Sequence, residues 1–320
     1  MKKYLIAPLL LATSASVLAD TGKMSAPSIY GRINLAFQHV DETDLKPAGL
    51  NGKTELRSNS SRLGVKGEQL LDDRVTLVYQ LEFRIAPDEL GDDKHMKHRN
   101  SFIGFKGAFG ELKMGIHDTP LKLIQERIDV FNALDGDLKE VISKHGENRT
   151  ENTVIYTSPR MQGVGVSVAH ISAEEPGQRN GLSSALSYQS KVFYAAVAYD
   201  DQVKEDVSTL RAVVRTTMDA WQLGAMYEES RQQDTFANGA RSADGWLVSV
   251  AYRTTPKTQL NAQYGQSDLV YRNGETVSVG IDYQYVNNTR LYAFSTRNAG
   301  EQAGTKQTAG YNGVGIEYRF

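Results

Sequence analysis

The chain contains no cysteine, so no disulfide can brace it, and its stability has to come from extensive backbone pairing or a large core. Beyond the N-terminal segment it has no apolar run approaching the roughly 20 residues a membrane helix needs, which excludes a helical membrane protein. That absence does not exclude a membrane barrel, whose lipid-facing residues are only every second one along each strand. Charge of one sign is also missing. Lys and Arg total 36 against 38 Asp and Glu. The chain therefore lacks the concentrated basic face that nucleic-acid binding requires, and no nucleic-acid partner is expected.

What is present begins with a leader. Lys2 and Lys3 supply a charged start, Leu5 to Leu11 an apolar run, and Val17-Leu18-Ala19 a small-residue cleavage site, so residues 1–19 are expected to be a secretory signal peptide. Its removal leaves 34 basic and 38 acidic residues, a net charge of 34 − 38 = −4 for residues 20–320.

Alternation with a period of two then runs almost the whole length. Val277, Val279, Ile281, Tyr283 and Tyr285 alternate with Ser278, Gly280, Asp282 and Gln284; Trp246, Val248, Val250 and Tyr252 and then Trp221, Leu223, Ala225 and Tyr227 keep the same beat. One face is apolar and aromatic, and the other is glycine, serine, amide and charge. A soluble sandwich also alternates, but the connections separate the two cases. Seven short turns, near 70–73, 107–110, 158–163, 190–191, 217–219, 255–257 and 287–288, alternate with eight longer polar segments, near 39–53, 86–98, 118–151, 173–180, 201–206, 230–243, 267–273 and 299–307. Seven short hairpins make 14 strands, and one strand before the first long segment and one after the last bring the count to 16.

The expected fold is therefore all-β: a transmembrane 16-stranded antiparallel barrel with both termini on the short-turn, periplasmic side. The last strand, GVGIEYRF, sets Val314, Ile316, Tyr318 and Phe320 on one face. It is expected to close the barrel against Tyr30 to Phe37, with Tyr318 and Phe320 in the periplasmic aromatic girdle. Ending on Phe320, it also resembles the signal that outer-membrane proteins present to their insertion machinery.

Sixteen strands enclose water, so function depends on what narrows the hole. Residues 118–151 are too long for an ordinary connection. Within them Leu121, Ile124, Ile128 and Phe131 recur at helical spacing after a Thr119-Pro120 start, while Glu126, Asp129, Asp135 and Asp137 make a polar face. Folding of this third external loop into the lumen satisfies both faces. Opposite charge is available on the early strands: Arg62 and Lys66 share a face, Arg84 shares one with Glu82, Arg32 faces away from Ile33 and Leu35, and Arg99 begins the fourth strand. A charge facing mid-bilayer lipid costs about 2–4 kcal/mol, so these side chains are expected in water, forming a transverse field with the loop acids.

The stretches NSSRLGVKG (59–67), SFIGFKGAFGELKMGIHDTP (101–120), LDGDLK (134–139) and GENRTENTVIYTSP (146–159), with the terminal EYRF, resemble the general porins of Gram-negative bacteria, of the neisserial and marine gammaproteobacterial type. The resemblance spans the mature chain. It implies a homotrimer in the outer membrane, in contact with lipid and lipopolysaccharide, with the third loop as an eyelet passing small hydrophilic solutes and ions. By position, Arg62, Lys66 and Arg99 are similar to eyelet-wall bases, with Arg84 beside them. Glu126, Asp129, Asp135 and Asp137 stand in a loop without the short Pro-Glu-Phe-Gly-Gly turn of enterobacterial porins, so the members that line the hole stay open here.

Three rival readings compete with this one. An enzyme needs a positioned nucleophile and base, and none of the six histidines has such a context; His117 beside Asp118 reads as a rim hydrogen bond. Asp135-Gly-Asp137 lacks the further spacing of a calcium loop, and His95 and His98 alone make no metal site, so neither metal nor cofactor is expected. A sugar-selective channel wants an aromatic track inside, whereas most aromatics here fall on the lipid face. A phosphate-selective one wants bases without acidic counterweight, and residues 118–151 carry eight acids against five bases. A plugged adhesin predicts no conductance.

Overall fold

The computed structural model describes residues 26–41, 52–89, 96–125 and 127–320. The expected leader 1–19 and Glu126 lie outside the described residues. The strands are β1 (Ser28–Asp41), β2 (Lys53–Ser58), β3 (Arg62–Leu70), β4 (Val75–Arg84), β5 (Lys97–His98), β6 (Ser101–Gly107), β7 (Gly110–Asp118), β8 (Arg149–Thr157) and β9 (Val164–Ile171). They continue as β10 (Gly181–Gln189), β11 (Phe193–Asp201), β12 (Val207–Met218), β13 (Trp221–Gln232), β14 (Ser242–Arg253), β15 (Thr258–Ser267), β16 (Arg272–Val286), β17 (Thr289–Gln302) and β18 (Thr305–Arg319).

Two of these breaks are bulges. Both β2 and β3 pair with β1, Ser58 opposite Leu35 and Arg62 opposite Arg32. Four steps along one strand thus face three along its neighbour. Likewise His98 faces Phe83 and Phe102 faces Gln80 on β4. Counting each bulged pair once, the described residues form sixteen antiparallel strands in one sheet. Pairing of β1 with β18 closes it, Arg32 opposite Arg319 through Asp41 opposite Gly310. At the seam the Phe320 amide donates to the Gly31 carbonyl oxygen (3.1 Å) and the Gly31 amide to that of Phe320 (2.9 Å). Among the described residues closure leaves no sheet edge, which is the condition for placing strands in lipid.

The seven short turns lie where the alternation put them. The eighth longer connection expected near 299–307 does not exist: β17 and β18 meet in a tight hairpin at 303–304, with Ala303 at φ +51° and Gly304 at φ +79°. Both residues take the left-handed conformation of a type I′ turn, whose twist matches that of the strands and lets pairing run to Gln302 opposite Thr305. Polar composition masked the strands here, because ends that rise above a membrane no longer need an apolar face.

Successive residues point to opposite faces. Leu210, Val214, Leu223, Tyr227, Val248, Val277 and Ile281 are exposed apolar side chains on one face. Their alternates Arg211, Glu228, Ser249 and Ser278 are buried polar groups on the other. Near the short turns Trp221 stacks on Tyr252 (ring centroids 4.2 Å apart) and Tyr318 on Phe320 (5.9 Å).

Between β7 and β8, the described residues of 119–148 form two single-turn helices, α1 (Pro120–Leu123) and α2 (Leu138–Val141). Thr119 caps α1 by accepting the Lys122 amide (3.3 Å), with Pro120 in the first turn. The helical spacing thus predicts a longer helix than forms. Asp129 accepts the amides of Phe131 and Leu138 (3.0 Å each), and Asp137 those of Ala133 (2.7 Å) and Lys139 (3.1 Å). Carboxylates that bind nearby amides give the backbone an alternative to helix. The four apolar residues are nevertheless all buried, as their spacing requires, each contributing about 1.5–3 kcal/mol.

Candidate functional site

The polar face of the sheet is built differently from one side to the other. On β10 to β17 its side chains are short and mostly uncharged, and they accept the loop. Ser249 Oγ donates to the Ile128 carbonyl (2.5 Å), Gln263 Oε1 accepts the Val130 amide (3.0 Å) and Gln263 Nε2 donates to the Gly136 carbonyl (2.9 Å). Asn298 Nδ2 donates to the Asp135 carbonyl and Ser267 Oγ to that of Ile142 (2.9 Å each). Glycines make sockets between them. A Cβ on Gly265 would come within 2.8 Å of the Ile142 side chain, and one on Gly280 within 3.0 Å of the Phe131 ring. Leu121, Ile124, Ile128, Leu138, Val141 and Ile142 share one apolar cluster with strand residues, and Phe131 and Leu134 join a second with Ala36, Tyr292 and Tyr311.

A buried ionic clasp secures the end of the loop. Arg211, 0 % exposed, donates through Nε to Glu228 Oε2 (2.8 Å), through Nη1 to Glu147 Oε1 (2.8 Å) and through Nη2 to Ser143 Oγ (3.0 Å). Ser143 Oγ in turn donates to Glu228 Oε1 (2.7 Å). One guanidinium therefore holds two residues of the loop against β12 and β13. Burial pushes the Glu147 carboxyl up to about 7, with Arg211 pulling the other way. Burial and then the neighbouring Asp137 charge raise Asp129, opposed by the amides it accepts.

The face of β1, β3 and β4 carries long charged groups instead. Glu82 is a hub, receiving Arg99 Nε at 2.6 Å, the Tyr30 hydroxyl at 3.0 Å and Arg62 Nε at 3.4 Å. The bulge between β5 and β6 swings Arg99 into this position; its amide also donates to the Glu82 carbonyl (2.8 Å). Lys66 Nζ stands 5.0 Å from the Tyr30 ring centroid. Glu317 is a second hub, with Arg32 at 3.6 Å, Arg290 at 3.2 Å and Arg319 at 2.6 Å.

Arg62, Lys66 and Arg99 thus belong to one cluster, and Arg84 lies beside it, opposite Arg62 in register, exposed and without an ion pair among the described residues. Arg62 and Arg99 are paired with Glu82 of the wall, not with a loop acid. Asp129, Asp135 and Asp137 are buried; the first and last are taken up by the loop's own amides, and Asp135, 1 % exposed, receives Arg57 of β2. Arg57 and Arg211 escaped sequence reasoning. Each does stand on the polar face of an alternating strand, and Arg211 faces Glu228 in register, which is the signal that a pairing search would use.

A family model described as Gram-negative porin matches residues 7–303. The major outer membrane protein P.IB of Neisseria gonorrhoeae is 25 % identical over 357 residues, covering 100 % of both chains. Among solved structures, the anion-selective porin from Comamonas acidovorans superposes with a TM-score of 0.77 at 15 % identity, covering 92 % of this chain and 99 % of that one. OmpT of Vibrio cholerae, in a trimer form, does so with a TM-score of 0.69 at 17 % identity, covering 94 % and 100 %. A closed sixteen-stranded barrel with an apolar outer band already required an outer membrane, and the chain belongs to the Gram-negative porin family as an outer-membrane diffusion porin.

Proposed function

We propose that residues 119–148 are an eyelet held inside the barrel, and that solutes pass between it and the wall formed by β3 to β8. The observation that carries this reading is the row of hydrogen bonds from loop backbone to polar-face side chains on β13 to β17. Apart from the Asp118–Arg149 pair and the strand-end residues Lys97 and Glu151, the uncovered wall carries Arg62, Lys66, Arg84, Arg99, Lys106 and Lys113 against Glu68, Glu82 and Glu111. Six bases against three acids in a narrow aqueous path favour anions.

Several further assignments go with this reading. Arg62, Lys66, Arg84 and Arg99 line the constriction, Glu126 is kept as an acidic member, and Asp129, Asp135 and Asp137 hold the loop in place. Residues 1–19 are a cleaved signal and 20–320 one barrel, with the constriction loop at about 118–151. The apolar outer face is taken to assemble as a homotrimer, as the trimer form of OmpT does, amid lipid and lipopolysaccharide, after delivery to the insertion machinery through the strand ending at Phe320. Passage is passive and no enzymatic role is assigned. His117 Nδ1 lies 2.8 Å from the Asp118 backbone oxygen, while the Asp118 carboxylate is engaged by Lys122 and Arg149 (3.0 Å each).

The test is single-channel recording of the refolded protein in a planar bilayer under a salt gradient. Large openings in three levels with anion preference are expected. A silent membrane containing folded, inserted protein overturns the eyelet reading in favour of a plugged barrel.

A further inference from the structure

The connection between β13 and β14, residues 233–241, lies on the side of the longer connections, and all but one of its residues are exposed or half-buried. The exception is Phe236, 3 % exposed. A sharp turn folds it inward. The Phe236 amide donates to the Ala240 carbonyl and the Gly239 amide to the Phe236 carbonyl (2.8 Å each), with Gly239 at φ +81°. Phe236 shares an apolar cluster with Ala243 and Leu269, separate from the two clusters that bury the middle of the eyelet loop.

The ring rests on the end of that loop. It meets His145 edge-on, ring centroids 5.9 Å apart, and Lys144 Nζ stands 5.6 Å from its centroid. His145 Nε2 lies 3.0 Å from Gln232 Oε1, on the last residue of β13 before the external connection begins. The Leu269 amide donates to the Ser267 Oγ (3.0 Å) that holds the Ile142 carbonyl. Residues 142–147 are thus gripped twice, from the wall by Arg211 and Glu228 and from outside by Phe236. A ring buried by an otherwise exposed segment ties the position of the eyelet loop to that of an external loop.

We propose that residues 233–241 are an external latch on the eyelet loop, holding its end while His145 is neutral and releasing it when His145 is protonated. The latch rests on the eyelet reading. A charged imidazole here has to lose water against the Phe236 ring, and it stands beside Lys144 of its own segment and Lys204 of the β11–β12 connection. Burial accordingly holds His145 below its ordinary 6.5, opposed by the Gln232 bond of β13 and assisted by the two lysines. A group lowered in this way stabilises the latch fully above about pH 6.5 and loses that contribution as pH falls through the lowered value. Glu147, two positions on, is raised to about 7 and acts with the opposite sign, strengthening the clasp in acid.

Single-channel recording of the full protein in a planar bilayer, with only the side of the longer connections taken from pH 7.5 to 5, provides the test. Wild type should show steady current at pH 7.5 and gain brief conductance fluctuations below about pH 6.5. His145→Asn, which keeps an amide in place of the imidazole and leaves Glu147 untouched, should show the same current at both pH values. Phe236→Ala should fluctuate at least about tenfold more often than wild type already at pH 7.5. Fluctuations in wild type that ignore pH, or a pH dependence retained in His145→Asn, overturn the latch. So does a folded Phe236→Ala protein indistinguishable from wild type at pH 7.5; if that variant does not fold, the comparison with His145→Asn decides alone. Mean conductance of wild type at pH 7.5 tests the eyelet separately. Where no channel opens, NMR titration of the His145 ring in detergent-folded protein, assigned with His145→Asn, still reports on the contact. His145 should titrate below 6.5 in wild type and at about 6.5 in Phe236→Ala; titration of the wild-type ring at the ordinary value overturns the latch.

Discussion

The two sides of the polar face differ in what they offer a visiting backbone. On β13 to β16 the wall presents glycine and short hydroxyl or amide groups, so a loop can approach to hydrogen-bonding distance, and it does so through Ser249, Gln263 and Ser267. On β3 and β4 the wall presents Arg62, Lys66, Glu82 and Arg84, whose length and hydration keep any backbone away. Desolvating such charges costs more than a loop contact returns unless each is paired. The course of the loop is therefore set as much by the side it cannot cover as by the side it packs on, and in the proposed eyelet the water path is what remains.

The covered side is broken most directly at its clasp. Arg211→Met leaves Glu228 buried without its cation and should cost about 3–5 kcal/mol. The expected outcome is release of the loop end, read as limited proteolysis near residues 143–148 and a conductance above wild type. A loop as protease-resistant as wild type would assign its hold to the apolar clusters alone.

A smaller effect at the same clasp depends on pH. Glu147 has its carboxyl raised from 4.5 to about 7, so its contribution to stability is fully present below about pH 4.5 and is lost as pH rises through about 7. The loss is on the order of 3 kcal/mol at most. Wild-type protein should lose thermal stability between pH 5 and 8 relative to Glu147→Gln, whose profile should be flatter. Parallel profiles would remove this group from the clasp's energetics.

The uncovered side is sharpened by Arg62→Gln and Arg99→Gln. Both side chains are partly exposed and share Glu82, so stability should change by no more than about 1 kcal/mol. The zero-current potential under a salt gradient should shift towards cations, and more for Arg99, whose bond to Glu82 is the shorter. An unchanged potential would take both residues out of the ion path.

Much of this was readable without coordinates, for identifiable reasons. Strand number, short turns and lipid-facing residues follow from a period of two and from turn chemistry, which are local properties. The loop's anchors Leu121, Ile124, Ile128 and Phe131 were equally plain as apolar residues, although their spacing announced a helix that Asp129 and Asp137 forestall by taking backbone amides. The hairpin at 303–304 was misread because polar strand ends above a membrane imitate a loop.

Local pattern thus decided that the chain closes into a barrel and which side chains meet lipid, since each strand must satisfy its own backbone and each outward residue its own solvent. Pairing of charges was decided only in three dimensions. A bulge of one residue delivered Arg99 to Glu82, a missing Cβ at Gly280 admitted Phe131, and strand register set Arg211 against Glu228 beneath the loop. Contacts between residues tens to hundreds of positions apart depend on register and close approach, which no short window of sequence contains.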